Sequence, residues 1–171
     1  VTDIPTTDAK AVTGDEDTPI AISLSGADVD GTVASFTIGS LPANGTLSYN
    51  GNPVTVGQVI PATANAASLS FTPNANWNGD TSFQYAATDN TGNSDATPAT
   101  VSITVDAVTD IPSTDDKTVP GTEDSPVAIT LTGADADGTV ASFTIGSLPA
   151  NGTLSYNGNP VTDGQQKTAR P

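Results

Sequence analysis

The chain has 171 residues, of which 4 are Lys or Arg and 19 are Asp or Glu, giving a net charge of −15. A polyphosphate or an anionic membrane surface needs a basic face that four scattered cations do not supply, which argues against nucleic acid and lipid headgroups as partners. Cys and His are both 0, so disulfides, thiol chemistry and an imidazole base are excluded, and a metal site must be built from oxygen, which favours calcium, magnesium or manganese.

No apolar run approaches a membrane span, and the first residues lack the basic-then-apolar pattern of a secretion signal. At 35% apolar residues the composition borders on that of disordered chains, but clean alternating runs argue for a folded one.

In chain order, residues 1–18 are rich in Thr, Asp and Pro and read as a stiff linker, with Pro5 holding Ile4 extended. Ile20, Ile22 and Leu24 then share one face of a strand. After the turn Gly26 to Gly31, a second strand is expected to point Ala34, Phe36 and Ile38 inward and Val33, Ser35 and Thr37 outward. Leu47 and Tyr49 mark a short strand closed by Asn50-Gly51, a dipeptide that tolerates positive φ at both positions. Residues 59–68 read as strand or loop, Leu69 and Phe71 alternate in the next strand, and Phe83, Tyr85 and Ala87 in the one after. Asp89 to Thr97 is a polar loop, and Val101, Ile103 and Val105 form the last strand. About seven short strands with no helical period indicate an all-β fold, an antiparallel immunoglobulin-like sandwich.

The pattern then repeats. Val1 to Pro5 recurs as Val108 to Pro112, an offset of 107, and Gly31 to Thr55 is identical to Gly138 to Thr162. A period of this length is one small domain, so residues 1–107 are read as a complete repeat with an N-terminal linker and 108–171 as an incomplete second copy. An odd strand count is expected to place the termini of a copy at opposite ends, so that copies run head to tail. The second copy has no counterparts of Leu69 to Val105 within these residues, which leaves Phe143, Leu148, Leu154 and Tyr156 without partners. Burial of one large apolar side chain is worth about 1.5–3 kcal/mol, so half a core is comparable to a domain's net stability of roughly 5–15 kcal/mol. This copy is expected not to fold alone, and to be either disordered or paired with another molecule through its open edges. Gln166 to Pro171 matches nothing in the first copy.

The acids fall at the expected strand ends. Asp28 and Asp30 flank Val29 in one turn, Asp135 and Asp137 recur in the second copy, Glu16 precedes a strand and Asp89 follows one. Carboxylates this close repel unless protons or a cation intervene, and a calcium ion takes six to eight such oxygens. An acidic turn is the plain alternative. The EF-hand loop is excluded, because its twelfth position counted from Asp28 is Gly39 and its sixth is Val33.

Tyr85-Ala-Ala-Thr-Asp89-Asn90, Ala99 to Val105 and Asp106-Ala-Val-Thr-Asp110 together resemble the end of a cadherin-type repeat with its acidic linker. Glu16-Asp17-Thr18-Pro19 and Ala27-Asp28-Val29-Asp30 are similar to the first strand and the Asp-x-Asp turn of that repeat. Pro42-Ala-Asn-Gly-Thr46 and Phe71-Thr-Pro-Asn-Ala-Asn-Trp-Asn-Gly79 resemble the tandem cadherin-like repeats of giant bacterial surface adhesins, including those of the repeats-in-toxin type. The resemblance implies calcium at each junction: Glu16, Asp106, Asp110, Asp135 and Asp137 at one, and Asp3, Asp28, Asp30 and Asp89 at the equivalent site facing a preceding domain. Two departures bear on ion number: Pro73-Asn74 replaces the Asp-x-Glu pair, and the linker has an extra residue between Asp106 and Asp110.

The resemblance implies a calcium-stabilised extender on a bacterial cell surface, extracellular and without catalysis, partnered by adjacent repeats of its own chain. The alternative is a carbohydrate-binding module of a secreted protein, for which Trp77 is the one stacking candidate, although a lone Trp in a turn also suits a core cap. The paired acids lie in polar turns without an apolar pocket to raise a pKa, which argues against glycosidase-like chemistry.

Overall fold

The computed structural model describes residues 3–169 and divides into two units, Val1–Val108 and Thr109–Pro171. Val1, Thr2, Arg170 and Pro171, ends of the motifs above, lie outside the described residues.

The first unit has ten strands: β1 (Thr6–Thr7), β2 (Lys10–Asp15), β3 (Ile20–Ala27), β4 (Val33–Ile38), β5 (Gly45–Tyr49), β6 (Asn52–Pro53), β7 (Val59–Pro61), β8 (Ala66–Pro73), β9 (Gly79–Asp89) and β10 (Ala99–Asp106). They form two sheets, ordered β1-β3-β8-β5-β6 and β2-β10-β9-β4-β7. Alternation along each strand turns one face of each sheet inward, and Ile22, Leu24, Phe36, Ile38, Phe71, Phe83, Tyr85, Val101 and Ile103 are all 1% exposed or less. Phe36 meets Tyr85 edge to face at 5.4 Å between ring centroids.

Two expectations fail here for identifiable reasons. Residues 1–18 are not simply a linker: β1 and β2 occupy much of the stretch, Pro5 is buried, and Val12 packs on the core. The strand signal there is weak because Val12 is the only large apolar residue of β2, whose pairing comes from a distant partner, β10. In β4, Val33 is buried at 3% and Ala34 is exposed, the reverse of the alternation expected. The register of β4 against β9 shifts between Val33 and Ser35, a β-bulge that turns Val33 back into the core.

The start of the chain crosses between sheets. β1 pairs with β3, while β2 runs parallel to β10, from Lys10 beside Val101 to Asp15 beside Asp106. Tyr85 fixes the crossing: its buried hydroxyl donates to the Asp8 carbonyl at 2.5 Å, lies 3.0 Å from the Ser25 carbonyl and accepts the Ser25 N–H at 3.2 Å. It is this parallel pairing of first and last long strands, rather than an odd strand count, that sets entry and exit at opposite poles. Two hairpins have two-residue turns: Asn50 and Gly51 at φ 49° and 78°, and Ala64 and Asn65 at φ 52° and 62°.

The second unit contains β11 (Ser113–Thr114), β12 (Gly133–Ala134), β13 (Ser142–Thr144), β14 (Ser155–Tyr156), β15 (Asn159–Pro160) and β16 (Gln166–Thr168). These make three two-stranded ladders, β11 with β12, β13 with β16 and β14 with β15. Each ladder keeps the register of the first unit displaced by the repeat offset. Phe143 pairs with Lys167 as Phe36 pairs with Ile60, so β16 stands in the place of β7 although its sequence is unrelated. The inward face of this unit is open: Ile129 and Leu131 are 46% and 43% exposed, where Ile22 and Leu24 are 1% and 0%.

Candidate functional site

The acidic residues of the first unit gather at its two poles. At the exit pole Glu16 follows β2 and is 2% exposed. Its N–H donates to the Asp106 carbonyl at 2.9 Å. Its Oε1 accepts the Val108 N–H at 2.8 Å, and its Oε2 the Asn78 side-chain amide at 3.4 Å. Next to it Asp17, at φ 59°, accepts the Asn76 N–H at 2.9 Å. Glu16 therefore works as a buried fastener of the departing chain, and both carboxylate oxygens are already engaged. Asp106 is exposed at the end of β10 beside Asp15.

At the entry pole the Asp30 carboxylate accepts the Asp3 N–H with both oxygens, at 3.1 and 3.2 Å. Asp28 has one carboxylate oxygen, Oδ1, shielded from solvent without a hydrogen-bond partner. Burial, then the charges of Asp30 and Asp89, raise the Asp28 carboxyl above its usual range. Asn90 ties this turn to the β9 loop, its Oδ1 accepting the Thr32 N–H at 3.1 Å. Gly31 leaves room for this arrangement, since a Cβ would lie 2.5 Å from both Asn90 Oδ1 and Asp28 Oδ2 and would displace those side chains.

Asp89 behaves differently from its neighbours. Burial alone would raise its carboxyl, but hydrogen bonds from Asn93 and Thr91 outweigh that and hold it at about 2. Its Oδ1 accepts both backbone N–H groups at 2.8 Å, and its Oδ2 accepts the Asn93 amide at 3.0 Å. Asp89 is thus the organiser of its own loop. The spacing Asp89-x-Thr91-x-Asn93 is the signal for it, a carboxylate bonding backbone groups just ahead of it. Asn65, Asn78 and Asn90 were not legible as partners, because each acts on a residue remote in sequence.

In the second unit Asp135 and Asp137 repeat the entry-pole pair. Asp135 Oδ1 is again buried and unpartnered, and burial, then hydrogen bonding with Asp137 and its charge, raise the Asp135 carboxyl. Asp110 belongs to this unit, whereas Glu16 and Asp106 belong to the first. Among the described residues no three acidic side chains converge closely enough to hold a metal ion as they stand. The two Asp-x-Asp turns nevertheless suit a hard cation in their donor type and in the orphaned oxygen that each contains. Glu16 and Asp89 have both oxygens held by hydrogen bonds from at least two partner residues, whereas Asp30 accepts only the Asp3 N–H, so the first two suit a cation less well. Trp77 packs partly buried against the core, with its indole across Gly79, which suits a core cap.

A family model described as bacterial Ig domain matches residues 2–104. No curated protein matches the chain. Among solved structures, an endo-fucoidan hydrolase of glycoside hydrolase family 107 is 23% identical, with 61% of this chain covering 14% of that one at TM-score 0.42. A conjugate transposon protein fragment from Bacteroides vulgatus is 18% identical, with 59% of this chain covering 84% of it at TM-score 0.41. The sialic acid binding region of a Streptococcus sanguinis adhesin is 15% identical, with 63% of this chain covering 29% of that one at TM-score 0.40. The chain therefore spans a small part of two of these three molecules.

Proposed function

The chain belongs to the bacterial Ig domain family, and from that premise we propose that it is a structural extender on a bacterial cell surface, a repeated spacer that carries a distal binding region outward. The observation that supports this most is the parallel pairing of β2 with β10, by which the backbone enters the first unit at one pole and leaves at the other. A domain threaded in this way adds its long dimension to the molecule. At about 3.3 Å per strand residue, one copy contributes on the order of 40 Å. The two poles serve the same end by different means. The Glu16 bond to Val108 directs the departing backbone, and Tyr85 and Asp95 hold the arriving one, at the Asp8 carbonyl and the Thr7 N–H.

Calcium has a narrower place in this proposal than the resemblance implied. Asp28 and Asp30, with Asp3, and the recurring pair Asp135 and Asp137 are the residues that would hold it. Burial first, and then the neighbouring acids, raise the Asp28 and Asp135 carboxyls, and a bound cation would offset the cost of keeping them charged. No catalytic role is proposed. Scattering from molecules with one, two and three tandem copies tests the extender reading. An increase in maximum dimension of about 40 Å per copy supports it, and a dimension that stays nearly constant as copies are added rules it out.

A further inference from the structure

We propose that the flank of the first unit formed by β6 and β7 is a self-association surface, on which a second copy of this chain pairs its own β7 across a two-fold axis. Residues 31–79 supply β4 to β8 and contain no Asp, Glu, Lys or Arg, in a chain of net charge −15. β6 and β7 are the end strands of the two sheets on one side, and β1 and β2 those on the other. Asp8, Lys10 and Asp15 all belong to the β1 and β2 side. Two such chains repel wherever their acids face one another. The uncharged flank is therefore the side on which a second copy can approach.

This flank also exposes apolar surface that the fold does not need. Val56 and Val59 are 61% and 57% exposed, and Leu41, just past the end of β4, is 42% exposed. In the second unit Asp163 stands in the place of Val56, yet the loop is the same. The Gly164 N–H donates to the Ile145 carbonyl at 2.7 Å, as the Gly57 N–H does to that of Ile38. Gln165 Oε1 accepts the Thr162 N–H at 3.0 Å, as Gln58 Oε1 accepts that of Thr55. An apolar side chain at position 56 thus does nothing for the loop that a carboxylate does not. What it adds is surface that is favourable to remove from water.

The edge of β7 determines how the copy fits. The Gln58 carbonyl and the Ala62 N–H bond to Ile38 and Ala34, and Ile60 lies opposite Phe36. Alternate residues of an antiparallel ladder turn their backbone groups to the partner, so Val59 and Pro61 turn theirs to the open edge. Pro61 has no N–H to offer, which leaves Val59 as the residue of β7 with both a donor and an acceptor there. Val59 set antiparallel to Val59 of the second copy satisfies both groups in each chain, by strand addition. Pro61 then stops the ladder from extending. The contact is isologous, so it closes as a dimer and does not propagate.

Sedimentation of the full chain over a concentration series tests this. A reversible monomer–dimer equilibrium is expected, strengthened by added salt, which screens the repulsion between two acidic chains. Val56→Asp, a change that the loop accepts in the second unit, should weaken dimerisation by at least about tenfold, because the two-fold axis places the added charge in the contact twice. Ala11→Asp puts the same charge on an exposed position of β2, on the opposite flank. It should change dimerisation by no more than about threefold, since exposed charges farther apart than a Debye length are screened. The chain has no cysteine, so Val59→Cys reads the register. Opposed positions lie within disulfide reach, and this variant should oxidise to a covalent dimer at least about tenfold faster than Ala11→Cys. A chain that stays monomeric, a dimer that Val56→Asp leaves unchanged or that Ala11→Asp weakens equally, or equal cross-linking from both positions overturns the proposal.

Discussion

The carboxylate of Glu16 accepts the backbone N–H of Val108 at 2.8 Å across 92 residues of sequence, so the turn after β2 fixes the path of the chain beyond β10. In the folded unit this acid fastens the departing chain. Glu16→Ala leaves the Val108 and Asn78 donors without their acceptor and is expected to destabilise the first unit by about 1–3 kcal/mol. Glu16→Gln, which keeps an acceptor oxygen, should cost less. Chemical denaturation of both variants measures the difference, and equal stability of all three proteins would remove the fastener role.

Tyr85 is the corresponding anchor for the arriving chain. Tyr85→Phe keeps the buried ring but strips the Asp8 carbonyl and the Ser25 N–H of their shared partner. A cost of about 1–2 kcal/mol is expected. Hydrogen exchange should quicken selectively in β1 and the start of β2, whose crossing between sheets depends on that hydroxyl. A uniform loss of protection would show that the hydroxyl stabilises the unit as a whole and does not act as a local anchor of the arriving chain.

Asp89 gives a pH signature with a definite sign. Its folded carboxyl titrates at about 2, below the ordinary value of 3.8. Between those values the unfolded chain takes up a proton that the folded chain refuses. The stabilisation is therefore complete above the ordinary carboxylate range and is lost as pH falls toward about 2. Asp89→Asn should melt lower than the parent at neutral pH and converge with it near pH 2. Melting curves across that window decide it.

How much of this was legible depends on where each residue's partner lies. The alternation of Ile20, Ile22 and Leu24, of Phe83, Tyr85 and Ala87, and of Val101, Ile103 and Val105 reports burial directly, and those strands are where the pattern puts them. The same rule misplaces Val33 and Ala34, because a bulge depends on the partner strand β9 and leaves no periodic trace. β2 is hidden for a related reason, since its pairing is with β10 at the far end of the unit. The acids show both cases. The closeness of Asp28 to Asp30 is local and was readable, whereas the commitment of Glu16 depends on Val108 and Asn78.

Ala64 sits at φ 52° in the turn between β7 and β8, where the neighbouring Asn65 is also left-handed. A Cβ in that region costs on the order of 1 kcal/mol, and the turn type calls for Asn or Gly. Ala64→Gly should therefore raise stability, by about 0.5 kcal/mol once the greater freedom of glycine in the unfolded chain is subtracted. A thermal melt that falls instead would mean that the methyl group contributes contacts outweighing the strain.

The two Asp-x-Asp turns allow the cation proposal to be separated from the fold. Without a cation the burial of the Asp28 carboxylate and the repulsion from its neighbours are a standing cost, so Asp28→Asn, alone or combined with Asp30→Asn and their repeats at Asp135 and Asp137, should melt higher than the parent in chelator at neutral pH. A ligand that binds only the folded state stabilises it by mass action, so excess calcium should raise the melting temperature of the parent. It should do little for a variant that combines Asp28→Asn with Asp30→Asn and their repeats at Asp135 and Asp137. Calcium would thus reverse the order of the parent and this combined variant, the variant melting higher in chelator and the parent higher in calcium. Such a crossing cannot come from loss of packing alone, which would lower the variant in both conditions. If calcium leaves both melts unchanged, the acids act through charge and hydrogen bonding only, and the cation part of the proposal falls.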